Sequence, residues 1–131
     1  MINVLILDQN SIFRNGLKLM INRLPDCRVI GMVKDYEALK KAVVFDKAFI
    51  VLMRLSEVPE NELAICANIK IFCPQIKVLL IARGANITLL VDAVAHGASG
   101  VYYEHFGFGK MHEALTLISE GGYFFDKGIQ N

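Results

Sequence analysis

The sequence predicts a single α/β domain in which a parallel sheet carries helices on both of its faces. Short apolar runs alternate with stretches of helical hydrophobic periodicity, and the connections between them are short. The most apolar run, 48–53, is continuous instead of alternating, which is typical of a strand buried on both faces. Five such strand–helix units favour a five-stranded, doubly wound parallel sheet.

Five segments have the apolar character of buried strands and are taken in chain order. They are 4–7, 28–33, 48–53, 77–82 and 100–103. Hydrophobic residues at helical spacing follow each of them and predict five helices. These lie at about 11–24, 35–45, 59–72, 86–96 and 109–120.

Helix ends are marked by residues with a clear local role. Asn10 or Ser11 can cap the first helix, and Asp35 can cap the second. Pro74 stops the third helix, because the residue before a proline is disfavoured in the helical conformation. Gly97 stands where a left-handed residue is expected after the fourth helix. These signals agree with the order of elements read from the apolar pattern.

Composition restricts the classes of function. The 131 residues fit one domain, and basic and acidic residues number 14 and 13, without a dense basic block that would argue for nucleic-acid binding by this segment. The run 48–53 is far too short to cross a bilayer, so no membrane partner is expected. Three scattered cysteines (Cys27, Cys66 and Cys73) favour buried free thiols and a cytoplasmic location.

Candidate site residues follow the predicted strands. In doubly wound sheets, binding sites form beyond the carboxyl ends of the strands. The polar or charged residues found there are Asp8, Gln9, Arg54, Arg83 and Glu104.

Three motifs resemble the receiver domains of bacterial response regulators, most closely the NarL/FixJ (LuxR-type) family. VLILDQNSIFRNGL at 4–17 resembles the family's opening, VLIVDDHPLFREGL, and GASGVYY at 97–103 resembles its GADGYLL run. EGGYF at 120–124 resembles the segment that closes the domain. The resemblance implies the flavodoxin-like, CheY-like (βα)5 fold with strand order 2-1-3-4-5. It also implies a receiver-like domain over 1–125, with 126–131 beginning a linker to a C-terminal DNA-binding domain.

The resemblance fails where phosphorylation chemistry would take place. A working receiver has two acids that help bind Mg²⁺, a phosphoacceptor aspartate, a hydroxyl residue and a lysine. Asp8 matches the first acid, whereas Gln9 replaces the second and Arg54 replaces the phosphoacceptor. Ala82 replaces the hydroxyl residue and Glu104 replaces the lysine. The resemblance therefore implies a degenerate receiver with neither a phosphorylation site nor a metal site, and we predict no enzyme activity and no cofactor.

The substitutions at positions 54 and 104 exchange the signs of two charges that would face each other. We expect Arg54 to pair with Asp8 or with Glu104 and to hold the pocket in one state. The alternative is that Arg54 reaches into solvent. A partly exposed pair would contribute about 1 kcal/mol or less. His105 stands where the family has a proline, so a trans peptide bond is expected before it.

The function implied is that of a pseudo-receiver in a two-component transcription regulator. It would act by phosphorylation-independent homodimerisation and would reach DNA only through a further domain. The apolar fourth helix and the following strand suggest an association face at Leu89, Ala93, Val101, Tyr102 and Tyr103. The family's other association face, on the first and fifth helices, remains open.

Two alternatives of other classes also remain. A small anionic ligand could bind among Asp8, Arg54, Arg83 and Glu104, since two arginines lie near the strand ends. The domain could also be a stand-alone adaptor that binds a kinase or another regulator.

Overall fold

The computed structural model describes residues 1–42, 49–84 and 86–125. A parallel sheet of six strands occupies the middle of the domain, in the order β2-β1-β3-β4-β5-β6. The strands are β1 (Ile2–Leu7), β2 (Cys27–Val33), β3 (Ile50–Arg54), β4 (Lys77–Ala82), β5 (Gly100–Tyr103) and β6 (Phe124–Phe125).

Five helices cover the two faces of this sheet. They are α1 (Ser11–Ile21), α2 (Tyr36–Ala42), α3 (Pro59–Phe72), α4 (Ile87–Ala95) and α5 (Met111–Ser119). The buried side chains of α1 and α5 belong to one hydrophobic cluster, and those of α2, α3 and α4 belong to the other. A short 3-10 turn, Glu104–Phe106, follows β5.

Side-chain alternation along each strand explains why the central strands are continuously apolar. In β3, Val51 and Met53 enter one cluster, while Ile50 and Leu52 enter the other. Both faces of the sheet are covered by helices, so neither set of side chains reaches water. The prediction of a sheet buried on both faces is confirmed.

Most predicted elements are confirmed within a few residues of their bounds. The predictions for 59–72, 77–82 and 100–103 match the observed elements residue for residue. The first helix ends at Ile21, earlier than predicted, because the next amides bond three residues back instead of four: Arg23 N–H donates to the carbonyl of Met20 and Leu24 N–H to that of Ile21. The end of the helix predicted at 35–45, residue 48 of the predicted third strand and the predicted linker at 126–131 lie outside the described residues.

The prediction of five strands is wrong, because β6 adds a sixth at the edge of the sheet. The backbone N–H of Phe124 donates to the carbonyl of Ser99 at 2.9 Å, and Gly100 pairs with Phe124. A Cβ at Gly100 would lie 2.5 Å from the Phe124 carbonyl oxygen, so only glycine allows this close approach. The core order 2-1-3-4-5 is otherwise as predicted.

Local geometry confirms the predicted roles of Asn10 before the first helix and of Gly97 after the fourth. The side-chain oxygen of Asn10 accepts the N–H of Phe13 at 3.0 Å, so Asn10 is the cap of α1. Gly97 has a φ of 88°, as a left-handed residue after α4 requires. All peptide bonds of the described residues are trans, including the one before His105. Within these residues no helix has the length and apolar content needed to cross a membrane.

Candidate functional site

The carboxyl ends of β1, β3, β4 and β5 meet at a cleft of about 910 Å³. Asp8 follows β1, Arg54 and Ala82 are the last residues of β3 and β4, and Glu104 follows β5. The structure brings all the predicted site residues to the walls of this cleft: Asp8, Gln9, Arg54, Ala82, Arg83 and Glu104.

An ion pair between Asp8 and Arg54 occupies the inner part of the cleft. Arg54 Nε donates to Asp8 Oδ2 at 3.1 Å, and a terminal guanidinium nitrogen donates to Oδ1 at 3.2 Å. Both carboxylate oxygens are therefore engaged by one planar cation. The Asp8 side chain is 8 % exposed and that of Arg54 is 32 % exposed. Arg54 therefore pairs with Asp8, one of its two expected partners, instead of reaching into solvent. That the pair holds the pocket in one state stays a prediction.

The start of α1 is attached to this ion pair. Asp8 Oδ1 also accepts the backbone N–H of Asn10 at 2.8 Å, and the Arg14 guanidinium donates to the carbonyl of Asp8. The guanidinium carbon of Arg54 lies 3.8 Å above the centre of the Phe13 ring, which is a cation–π contact. Arg54 therefore joins the end of β3 to the loop after β1 and to the first turn of α1.

The roles of Phe13 and Arg14 were not predicted from the sequence. Helical spacing places Phe13 on the buried side of α1 and Arg14 on the other side, but it does not indicate a contact of either residue with the site. The available signal was their position in the first turn after Asp8, since a helix that begins beside the sheet edge faces that edge with its first turn.

The donor set does not fit the magnesium ion that receiver chemistry uses. Mg²⁺ prefers oxygen ligands, and the family's site supplies them from carboxylates. Here the Asp8 carboxylate is bound to a guanidinium, Gln9 contributes no charge, and Arg54 places a fixed positive charge at the end of β3. A cation at Asp8 would have to displace Arg54 and then remain beside it.

The outer part of the cleft carries mixed charge. Arg83 and Glu104 are both exposed there. The lining includes three basic residues (Lys34, Arg54 and Arg83) and five acidic ones (Asp8, Asp35, Glu57, Glu62 and Glu104). Since Arg54 is already paired with Asp8, two basic residues face four acidic ones. This balance does not favour an anionic ligand.

The prediction of the association face needs correction, because most of its residues are buried. Ala93, Val101, Tyr102 and Tyr103 are core residues, and Leu89 is half-buried. The Tyr102 hydroxyl donates to the carbonyl of Gly107 at 3.0 Å and accepts the N–H of Lys110 at 3.1 Å.

These hydrogen bonds hold the Tyr102 ring under the start of α5. Strand alternation sends the Tyr103 ring into the other hydrophobic cluster. The apolar surface that α4 does present comes from Ile87, Val91 and Val94, which are 55 %, 61 % and 59 % exposed.

The fold and the position of the cleft define the class of this domain: it has the receiver fold of response regulators. The isolated REC domain of RcsB from Salmonella enterica serovar Typhimurium superposes with a TM-score of 0.85 at 19 % identity, covering 98 % of this chain and 95 % of that one. RcsB has also been solved as two dimers bound to two parallel DNAs, with a TM-score of 0.79 at 18 % identity, covering 97 % of this chain and 65 % of that one.

Two transcriptional regulatory proteins are similar in sequence. LnrK of Bacillus subtilis (strain 168) is 27 % identical over 123 residues, 93 % of this chain and 56 % of LnrK. DegU of Brevibacillus brevis is 22 % identical over 121 residues, 92 % of this chain and 51 % of DegU. The chain thus spans about half the length of these relatives. No family model matches it. The resemblance to receiver domains is confirmed.

We expect the substitution Arg54→Ala to lower the free energy of unfolding by about 1–2 kcal/mol. The loss has two parts, the ion pair with Asp8 and the contact with the Phe13 ring. Arg83→Ala is the matched control, because Arg83 lines the same cleft but is exposed. Urea unfolding followed by circular dichroism measures both variants, and equal stability of the two would contradict the assigned role of Arg54.

Proposed function

We propose that this chain is the pseudo-receiver of a transcription regulator and that it acts by self-association without phosphorylation. The observation that carries the proposal is the guanidinium of Arg54 at the end of β3, held on the Asp8 carboxylate. The resemblance to receivers places the phosphoacceptor at this position. Arginine cannot accept a phosphoryl group as the aspartate of a working receiver does, and its charge repels a divalent metal.

The Asp8–Arg54 ion pair would hold the pocket in one conformational state. In a working receiver, a metal and a transient phosphoryl group change the charge at the strand ends. Here a covalently fixed cation neutralises Asp8 at all times, and its contact with Phe13 connects the pocket to α1. A domain with a permanent cation in this position has no phosphorylation-linked change of charge to transmit.

The role of the longer protein is part of the same proposal. The similar proteins LnrK and DegU are transcriptional regulators, and the structural neighbour RcsB binds DNA as dimers. We propose that this domain brings two DNA-binding domains together on paired half-sites in the cytoplasm, and that it is not itself an enzyme. An adaptor without such a domain is the alternative, and the length of the natural protein distinguishes the two.

A phosphodonor experiment tests the loss of phosphorylation. The wild-type chain is incubated with acetyl phosphate and Mg²⁺ and its intact mass is measured under mildly acidic conditions. We expect no added phosphoryl group, because no carboxylate lies at position 54 to attack phosphorus and release acetate.

Two controls make this result decisive. A receiver with all its acids intact verifies the donor. The variant Gln9→Asp/Arg54→Asp/Ala82→Ser/Glu104→Lys restores the four missing groups of the site, and we expect it to take up one phosphoryl group. Stoichiometric labelling of the wild-type chain would contradict the proposal.

The alternative of a small anionic ligand has weaker support. Outside the Asp8–Arg54 pair, the cleft lining has more acidic than basic residues, so its net negative charge would repel an anion. Stabilisation of the chain by an anionic metabolite in a thermal unfolding panel would favour this alternative.

A further inference from the structure

The outward surface of α4 carries a row of apolar side chains. Ile87, Val91 and Val94 are all more than half exposed. They follow one another at spacings of four and three residues, so they lie on one side of the helix. Single exposed apolar residues are common on protein surfaces, whereas a continuous row indicates a surface that a further chain segment covers. We call these three residues the α4 row.

A groove lies beside the α4 row, between α4 and the edge strand β6. Leu90, Val91, Val94 and Phe125 line a cavity of about 320 Å³ there. Among the described residues, the side chains that line this cavity are all apolar. They offer an occupant no hydrogen bond and no charge, so the cavity selects an aliphatic or aromatic side chain.

The chain itself continues from this groove. Phe125 lines the cavity and is the last described residue, and residues 126–131 follow it directly. The sequence of that segment, DKGIQN, contains one large apolar residue, Ile129. Four residues of extended chain span about 13 Å, whereas the seven residues from Ile87 to Val94 rise about 10 Å along the helix. Ile129 is therefore within reach of every residue that lines the groove.

We propose that residues 126–131 fold back over this groove and that the Ile129 side chain occupies the cavity between α4 and β6. In this position Ile129 contacts Val91, Val94 and the Phe125 ring, and the contact removes apolar surface from water on both sides. The groove thereby receives an occupant of the chemistry that its lining selects.

A second copy of this chain is the competing occupant. A short tether gives Ile129 an effective concentration at the groove on the order of millimolar, far above the micromolar concentration of another copy. The surface also offers a second copy little charge to recognise, because α4 has one charged residue, Asp92, and no basic one. Both considerations favour the chain's own segment.

Occupation by its own segment gives α4 a role in placing whatever follows. With Ile129 in the cavity, the chain leaves the domain from α4 in a fixed direction, and the α4 row is closed to a second copy. In the transcription regulator of the proposed function, on which this consequence rests, that direction would orient the DNA-binding domain. The contact itself does not depend on self-association.

Methyl NMR of the whole chain tests the contact directly. Isoleucine and valine methyl groups are isotope-labelled, and the variant Ile129→Val identifies the Ile129 signal by its loss. We expect nuclear Overhauser effects from the Ile129 methyl groups to those of Val91 and Val94, with intensities that do not change on dilution. An Ile129 signal without any such effect to α4 would overturn the proposal.

A mixed sample distinguishes the chain's own segment from that of another copy. One half of this sample is labelled only at isoleucine and the other half only at valine, so effects between the two residue types arise only between copies. We expect no effect between Ile129 and Val91 or Val94 in this sample. Effects at the strength expected for intermolecular contact would overturn the proposal and assign the groove to a second copy.

Urea unfolding of two serine variants provides a second readout. If nothing covers Val91, Val91→Ser changes an exposed residue and should leave the urea midpoint nearly unchanged. With Ile129 in the cavity, we expect Val91→Ser and Ile129→Ser each to lower the midpoint, and the double variant to lose less than the sum of the two, because both remove one contact. Gln130→Ser is the matched control and should not shift the midpoint.

The outcomes separate this inference from the proposed function. Unchanged midpoints in both serine variants, or losses that simply add, would overturn the contact and leave the phosphodonor and sedimentation results as they are. A chain that stays monomeric but shows the Ile129 effects within one copy would overturn self-association and support the contact. Effects within one copy together with non-additive losses support the proposal through two independent measurements.

Discussion

Replacing Gly100 with alanine should lower the free energy of unfolding by about 2–3 kcal/mol, the upper part of the range of about 1–3 kcal/mol that is usual for forcing an extra group into a packed site. The added Cβ would lie 2.5 Å from the Phe124 carbonyl oxygen, 3.0 Å from Leu79 Cδ1 and 3.1 Å from Phe124 Cβ. The nearest of these atoms belongs to the backbone of β6, so the strand must move away. The pairing of Gly100 with Phe124 and of Val101 with Phe125 would be lost with it.

Gly31→Ala is the matched control, because Gly31 is also a strand glycine. A Cβ at this position would lie 3.6 Å from Leu5 Cδ1, which is an ordinary contact. Its effect on the free energy of unfolding should stay within about 0.5 kcal/mol. Urea unfolding of both variants provides the comparison, and equal losses would show that β6 does not depend on the missing side chain at Gly100.

Alkaline pH should destabilise the chain through Cys66. Burial raises the pKa of the Cys66 thiol from 9.0 to about 11, and nearby Lys70 offsets this only in part. The folded state holds the thiol proton more tightly than the unfolded chain does. The stability that this provides is fully present below pH 9 and is lost as the pH rises towards 11. A shift of about two pKa units corresponds to about 3 kcal/mol.

The comparison with Cys66→Ala isolates this thiol. Other groups titrate in the same range, since burial also raises the pKa of Cys27 and of Tyr102 and lowers that of Lys70. The difference in free energy of unfolding between wild type and variant is therefore measured at pH 8, 9, 10 and 11. We expect the wild type to lose its advantage over Cys66→Ala as the pH rises. A constant difference would mean that Cys66 titrates alike in the folded and unfolded chains.

The fold could be predicted largely from the sequence because local signals agree with the tertiary structure. Residues 77–82 are apolar at nearly every position, and both faces of β4 are buried. Pro59 begins α3, and the helix ends before Pro74. Each of these signals depends on a few adjacent residues and needs no knowledge of distant contacts.

The sixth strand could not be predicted in this way. Phe124 and Phe125 come after Gly121, Gly122 and Tyr123, and two residues are too few to show a period of alternation. Their strand exists because the backbone of Gly100, far away in the sequence, lets them approach. The prediction of the association face was wrong for a related reason. Tyr102 and Tyr103 look like surface residues by type, whereas strand alternation buries one on each side of the sheet.

The sequence alone leaves the partner of Arg54 open between Asp8 and Glu104. The register of the neighbouring strands β1 and β3 decides between them. Leu7 of β1 pairs with Met53 of β3, so the residues that follow them, Asp8 and Arg54, are neighbours across adjacent strands. Glu104 follows β5, which is two strands away from β3. Strands lie about 4.8 Å apart, so Glu104 starts about 10 Å away. The nearer carboxylate is bound.

Sedimentation velocity on the wild-type chain tests the central claim most directly. The chain is measured over a wide concentration range, once without Mg²⁺ or phosphodonor and once with both. Our account predicts a dimer at low micromolar concentration with the same dissociation constant in the two series. A chain that stays monomeric throughout, or that dimerises only when Mg²⁺ and the phosphodonor are present, would contradict it.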